Sequence, residues 1–343
     1  MFFSQKILNW YHFNGRKNLP WQKKNIYYIW ISEIMLQQTR VQTVIPYFQK
    51  FKKKFPTIKK LADSNINKVL YLWSGLGYYQ RAHNLHKTAK IIKKKYYGIF
   101  PTNINEIIKL PGIGRSTAGA ILSFTYNYRY AILDSNIKRV LIRFHLININ
   151  NFKKNQLENK LWNIIDQYIP LHNARKFNQA MMDLGSLICK NKNPNCFSCP
   201  LKNNCNFFKK KIIFFKKKEK KKKIGIFFSI IKYKNSVILI KQKNISIWKG
   251  LFYFPLITFK ISKKKWEKIK KKNTSKTKKL FFTHCLSHIK LFIIWQIIRV
   301  KKKKNYKEKI WMNINSKKKI GIPTPIKKIL LQLKKKKKNE KKT

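Results

Sequence analysis

Four of the chain's five cysteines fall within seventeen residues, as Cys189, Cys196, Cys199 and Cys205 with six, two and five residues between them. A loop that brings four thiolates together closes around one group, and such a donor set suits either a [4Fe–4S] cluster or a zinc ion. A disulfide framework fits poorly. The opening MFFSQKILNWYHFNGRK passes straight into an amphipathic helix, with no apolar leader to direct the chain to an oxidising compartment. The four cysteines therefore read as reduced ligands in a cytosolic protein, with Cys285 standing far from them.

At 343 residues and 44% hydrophobic side chains, the chain has room for two or three domains with cores of their own, and no stretch reaches the length of a membrane span. Lys and Arg number 79 against 11 Asp and Glu, a net charge of +68 that points to a polyanionic partner. Lys, Asn, Ile, Phe and Tyr share A/T-rich codons, so part of that charge is expected to reflect base composition; a balanced host genome would exclude this. Against such a background the carboxylates are informative. Before residue 206 they are Glu33, Asp63, Glu106, Asp134, Glu158, Asp166 and Asp183. Two sit in apolar surroundings, Glu33 in WISEIMLQQ and Asp134 in YAILDSNIKR. A buried carboxylate needs hydrogen bonds, a partner or a proton, and such placement is how a site raises the pKa of a general acid. Asp63, ahead of SNINKVL, and Asp183, in MMDLGSLIC, suit the plainer role of capping acids.

Helical spacing recurs over 4–14, 28–38, 42–54, 66–73, 79–97, 104–109, 115–126, 136–146, 155–168 and 173–188. The cysteine loop, 189–205, closes this part. After a basic linker come β-rich runs, IGIFFSIIKY, SVILIKQK, LFYFPLITF and HIKLFIIWQI, and a final helix is expected near 323–333. The pattern predicts a mainly α half over residues 1–208, a linker over 209–223, an α+β domain over 224–333 and a basic tail over 334–343.

The segment Leu110-Pro111-Gly112-Ile113-Gly114-Arg115 ends one helix and opens another. Two glycines there let successive backbone N–H groups face outward at a helix N-terminus, which holds a phosphate without reading sequence. About twenty residues on, Asp134 ends the run YAIL and precedes a new helix. A helix-hairpin-helix over 110–126, a downstream Asp and a C-x6-C-x2-C-x5-C loop, in that order, resemble the endonuclease III superfamily of DNA glycosylases. SEIMLQQT, GLGYYQRAHNL, LPGIGRSTAGAIL, ILDSNIKRV and FNQAMMDLG resemble its MutY-type branch, the adenine DNA glycosylases, densely over residues 4–205 and more loosely beyond.

The resemblance implies one [4Fe–4S] cluster on Cys189, Cys196, Cys199 and Cys205, and as partner double-stranded DNA with 8-oxoguanine:A or G:A mispairs. A monomer working in the cytoplasm at the nucleoid is expected. In bifunctional relatives the residue after GIGR is a lysine that forms a Schiff base with the sugar; here it is Ser116, and a hydroxyl cannot form an imine. Hydrolysis alone is therefore expected, leaving an abasic site. Glu33, with Trp30 and Gln37 near its helical face, is the candidate acid that protonates the departing adenine. Asp134 is the candidate counter-charge or covalent trap for the oxocarbenium-like sugar, with Ser116 and Asn136 as hydrogen-bonding support. The adenosine must be flipped out of the duplex, and Gln38 and Tyr78 match the family's wedging positions, whereas Tyr79 reads as core. Gly112, Gly114, Arg115 and Lys138 are the implied DNA contacts, with Lys17 a further candidate. Where the family has Asp-Gly-Asn the chain reads Asp134-Ser135-Asn136, which costs ~1 kcal/mol if the backbone there needs positive φ.

Trp248-Lys249-Gly250-Leu251 and Thr283-His284-Cys285-Leu286-Ser287-His288 resemble the Nudix-like C-terminal domain of that family, which checks for 8-oxoguanine opposite the adenine. Ser287 is the implied reader, beside His284 and Leu286, the latter where the family commonly has phenylalanine. Glu219, Glu267, Glu308 and Glu340 are too scattered to hold the Mg²⁺ of a pyrophosphate hydrolase. Two other readings stay open in the sequence: a bifunctional endonuclease III-like glycosylase/lyase, and an iron–sulfur DNA-binding protein whose catalytic pair has decayed.

Overall fold

A computed structural model of the chain describes residues 2–210, 221–241, 247–262, 265–267, 280–286, 288–304, 309–316 and 319–339. They form two compact units, one from 2–64 and 83–210, the other from 65–82 and 221–339.

The first unit is helical. Its elements are α1 (Phe2–Asn14), α2 (Ile26–Leu36), α3 (Val41–Lys54) and α4 (Ile58–Ala62). After α5 (Ile66–Trp73), which belongs to the second unit, come α6 (Gln80–Lys95), α7 (Ile104–Ile108), α8 (Arg115–Tyr126) and α9 (Ser135–Phe144). The series ends with α10 (Lys154–Tyr168), α11 (Ala174–Asp183) and α12 (Asn206–Lys210). Helix α2 is apolar around most of its circumference and buries Tyr27, Ile29, Trp30, Ile31, Ile34 and Met35, so it must lie at the centre of the unit. Asn25 caps it by accepting from the Tyr28 N–H. It packs on α8 and α3, while α11 packs on α1, α8 and α9.

Between α8 and α9 the chain runs extended, and side chains rather than a sheet satisfy its backbone. The buried Asn178 amide accepts from the Ile132 N–H at 3.2 Å and donates to the Tyr130 carbonyl at 2.8 Å, while Ser116 Oγ accepts from the Leu133 N–H at 3.2 Å. This strip ends at Asp134, so those bonds fix where the carboxylate emerges. Gly119 of α8 lies against the strip so closely that a Cβ there would stand 2.5 Å from the Ala131 carbonyl oxygen.

Two capping expectations are corrected. Asp63 ends α4 and pairs with Lys93, and it is Asn65 that caps α5. Asp183 caps nothing; it is a fully buried ion partner of Arg16. The helix expected over 173–188 ends at Asp183 and continues as a π-helical turn, Leu184–Ile188. Gly185 of that turn touches Asn136, where a Cβ would come within 2.6 Å of the Asn136 Cβ.

The second unit is built on a mixed sheet of β1 (Lys222–Tyr233), β2 (Ser236–Lys241), β3 (Phe252–Tyr253), β4 (Leu256–Lys260), β5 (Leu280–Cys285), β6 (Ile289–Arg299) and β7 (Lys309–Asn313). Its order is β3-β2-β1-β6-β5, with β4 on β1 and β7 on β2; β1 and β6 are parallel and the other pairs antiparallel. The run LFYFPLITF, expected as one strand, breaks into β3 and β4 at Phe254-Pro255, since Pro lacks an N–H for the ladder. Helix α13 (Thr324–Asn339) buries Ile326, Ile329, Leu330 and Leu333, one helical stripe. Trp248 and Leu251 of the WKGL motif are core residues, Trp248 stacking on Phe228. Among the described residues no helix is long and apolar enough to cross a membrane.

Replacing Gly119 by Ala should cost about 1–3 kcal/mol, because the facing atom is backbone and cannot swing away. Urea unfolding should register this as a lowered midpoint at unchanged slope.

Candidate active site

Glu33 sits on the central helix α2 and Asp134 at the start of α9, and both open into one cavity of about 850 Å³. Arg16, Trp21, Gln38, Ser116, Asn136 and Gln179 share its walls. The side chain of Glu33 reaches the cavity but is enclosed on its other sides, and that burial, with the charge of Asp134 adding to it, raises its carboxyl to about 8. Asp134 is also raised, again by burial first. There the shift is opposed by donors: the Ile137 N–H at 2.8 Å and Asn136 Nδ2 at 2.9 Å, with the Arg139 charge nearby. The two half-buried carboxylates therefore differ in a chemically useful way. The donors favour the anion at Asp134, whereas Glu33 is held as the acid.

Asp134 is the N-cap of α9, and this cap gives it its orientation. Ser135, the first residue of that helix, is not among the residues with positive φ, so the strain expected from replacing glycine is absent. Arg139, one turn on, donates to Asn136 Oδ1 at 2.9 Å, to the Gly185 carbonyl at 2.5 Å and to the Cys189 carbonyl at 2.8 Å. On the far wall Arg16 binds the buried Asp183 through its backbone N–H at 2.7 Å and its guanidinium, and Gln179 donates to the same carboxylate at 2.9 Å. Sequence reasoning passed over Arg16, Arg139, Asn178 and Gln179. The available signal was polar residues inside otherwise apolar helical runs, as in FNQAMMD.

In the hairpin between α7 and α8, Gly112 has φ 83° and its carbonyl is held by Gln37 Nε2, while Thr88 Oγ1 donates to the Pro111 carbonyl. Gly114 is exposed, with nothing within 4 Å of where a Cβ would stand. Arg115 and Lys138 are engaged within the protein, Arg115 with Asp166 and over the Trp162 ring, Lys138 with Glu158. Lys17 Nζ donates to the His12 carbonyl. Gln38 and Tyr78 are both exposed in the left-handed backbone region, at φ 56° and 48°, whereas Tyr79 is buried and accepts from the Gly75 N–H.

Cys189, Cys196, Cys199 and Cys205 line one largely apolar cavity with Val140, Leu184 and Leu201. Burial first, then the charges of neighbouring cysteines, raise Cys196, Cys205 and Cys199, the last to about 12, while backbone N–H groups of Leu201, Phe207 and Phe208 bond to Cys199 and Cys205. Arg143 donates to Cys189 Sγ at 3.4 Å and to the carbonyls of Lys190 and Asn191. Donors aimed at sulfur in an apolar recess suit thiolates bound to a cationic metal group. Lys190, Lys192 and Lys202 are exposed around it.

In the second unit, His284 lies half-buried on β5, its pKa lowered by burial and then by Lys328. The Leu286 N–H donates to the Ile289 carbonyl at 2.8 Å, and Ser287 lies outside the described residues. Of the C-terminal acids only Glu267 is described, and it is exposed.

The family described as the HhH-GPD superfamily of base excision DNA repair proteins matches residues 31–167, and a NUDIX domain matches 226–332. The solved structure of a thermostable thymine-DNA glycosylase is similar at a TM-score of 0.56 and 27% identity, over 61% of this chain and 95% of its own. That of a non-covalent endonuclease III–DNA complex shares the fold at 0.54 and 21%, over 61% and 95%. Fold and site thus define a helix-hairpin-helix protein of base excision repair carrying a Nudix-like domain. An adenine DNA glycosylase of Buchnera aphidicola subsp. Baizongia pistaciae is 51% identical over 97% of both chains. The chain belongs to the adenine DNA glycosylase family, hydrolases of N-glycosyl bonds.

The pKa of Glu33 has a consequence for stability. The native state holds this proton more tightly than an unfolded chain near 4.5, so stability is unaffected below pH 4.5 and falls as the pH rises towards 8. Glu33→Gln should therefore melt at a higher temperature than the parent, with the gap widening from pH 5 to about pH 8; an equal gap at every pH would contradict the raised pKa.

Proposed function

We propose that the chain removes adenine from 8-oxoguanine:A and G:A mispairs by hydrolysis alone, leaving an abasic site. The reading rests on one observation: Glu33 and Asp134 share a cavity with Ser116, where a lyase of this superfamily would need an amine. Glu33, protonated at neutral pH, donates to the purine as the glycosidic bond lengthens and its electron pair leaves with the base. Asp134, whose donors favour the anion, stabilises the cation at the sugar or bonds to it, and water supplies the final C–O bond. Ser116 and Asn136 support these groups, Ser116 by fixing the Leu133 N–H and Asn136 by its bond to Asp134.

Backbone at Gly112 and Gly114 approaches a DNA phosphate, the open space beside Gly114 leaving room for it. Arg115, Lys138 and Lys17 add positive charge along the strand. Gln38 and Tyr78, exposed and in a backbone conformation that costs energy, fill the gap left by the flipped nucleotide. Cys189, Cys196, Cys199 and Cys205 hold one [4Fe–4S] cluster, which when bound orders the basic loop of Lys190, Lys192 and Lys202 against DNA. Residues 1–208 carry out the cleavage and 224–333 inspect the opposite base through Ser287, His284 and Leu286, in a monomer acting on the nucleoid in the cytoplasm.

Duplexes with 8-oxoguanine:A, G:A and T:A pairs test this. Adenine should leave the first two, strands should break only after alkali, and borohydride should trap no adduct. A folded, cluster-loaded protein that releases no adenine from 8-oxoguanine:A would end the proposal. Glu33→Gln should lower single-turnover release ~10²-fold or more while duplex affinity is retained. Because the acid must be protonated, the parent rate should fall as pH rises past about 8.

A further inference from the structure

Arg81 is a costly residue where it stands. It is the second residue of α6, where the helix dipole disfavours a cation, and it is only 8% exposed. Burial lowers its pKa to about 10. Its guanidinium lies 5.4 Å from the Tyr78 ring centroid and 5.5 Å from that of Trp73, within the range of cation–π attraction to both. One of its terminal nitrogens donates to the Gly77 carbonyl at 3.2 Å, which also accepts from Trp73 Nε1 at 3.1 Å. Its backbone N–H donates to the Tyr78 carbonyl at 2.9 Å. Arg81 thus holds the peptide on either side of Tyr78 and attracts its ring, at a residue whose left-handed φ of 48° would otherwise relax. Gly75 and Gly77, at φ 108° and 80°, complete a turn in which three of four residues are left-handed.

We infer that Arg81 is the positioning residue for Tyr78: it presets the ring, 37% exposed, and the strained backbone beneath it, so that the aromatic meets the duplex already aimed. The inference rests on the reading of Tyr78 as a wedge. Arg81 itself is largely covered and acts through the ring. An entropic cost that DNA binding would incur by ordering a loose tyrosine is met instead in the folded protein. Lysine is a poor substitute, because it lacks the plane that lies over a ring while bonding to the Gly77 carbonyl.

A double-mutant cycle tests this on the cluster-loaded, full-length protein, with a duplex carrying a non-hydrolysable 2′-fluoro-adenosine opposite 8-oxoguanine. Tyr78→Leu and Arg81→Met should each weaken binding ~10-fold, and the double variant should be no weaker than either alone. Arg81→Lys should behave like Arg81→Met. The melting temperature of Arg81→Met should match or exceed that of the parent, since an apolar side chain replaces a buried cation. Additive losses in the double variant, or unchanged binding by Arg81→Met, would overturn the inference. So would loss of binding only in step with loss of stability. If Tyr78→Leu binds as the parent does while Arg81→Met is weakened, the wedge reading fails and Arg81 acts by another route. If both weaken binding but independently, the wedge reading survives and only the inference fails.

Discussion

The cap that Asp134 places on α9 is the interaction on which most of the first unit's chemistry depends. A carboxylate in an apolar strip has few ways to remain charged, and accepting the Ile137 N–H at a helix N-terminus is one of them. The same bond fixes the direction of α9, whose inner face buries Ile137, Val140 and Leu141. Its other face carries Arg139 and Arg143 to the carbonyls of Cys189, Lys190 and Asn191. One ten-residue helix therefore has the carboxylate at its start and the cysteine loop along its side. The π-helical turn before Cys189 belongs to this arrangement. It brings Gly185 into contact with Asn136, and a regular helix with a larger residue there would push the loop away from the site.

Charge is distributed with the same logic. In a chain this basic almost every acid can find a cation, and Asp63, Glu158, Asp166 and Asp183 do so. Neither Glu33 nor Asp134 forms an ion pair among the described residues. The proposed mechanism calls for that separation: a lysine or arginine against Glu33 would pull its pKa down and remove the proton the proposal needs, and a close cation on Asp134 would compete with the cation the proposal places on the sugar. Abundant lysine makes the exclusion more telling.

How much of this could be read from the sequence follows from the range of each interaction. Helix α2 and its glutamate were legible because an acid in WISEIMLQQ violates the local pattern, and the hairpin because two glycines punctuate it. Most helix ends fell within two residues of expectation, set by local caps such as Asn25 and Asp134. Helix α4, at five residues, is too short for a period to register, whereas α7, equally short, is marked off by the Pro-Gly turn that follows it; β5 and β7 are short strands whose existence depends on β6 and β2 as partners. The Arg16–Asp183 pair spans 167 residues, and no local pattern announces such a contact. Ser135 is the opposite case: the cost of a side chain there hung on a positive φ, and the position is ordinary helix.

The residues that break local rules share a character. Glu33 is an acid in an apolar helix, Gln38 and Tyr78 adopt a backbone that disfavours side chains, and Arg81 is a cation buried at a helix N-terminus. Each costs stability where it stands, and none is needed to satisfy the core, which Trp30, Phe48, Phe51 and Phe177 already fill. Their presence beside well-capped helices fits the proposed site: local consistency is given up at the residues proposed to meet the substrate and at the one inferred to position Tyr78. On the proposed mechanism the cost is met beforehand in the folded protein, so that neither proton nor aromatic ring has to be found, ordered or desolvated once a base has left its stack.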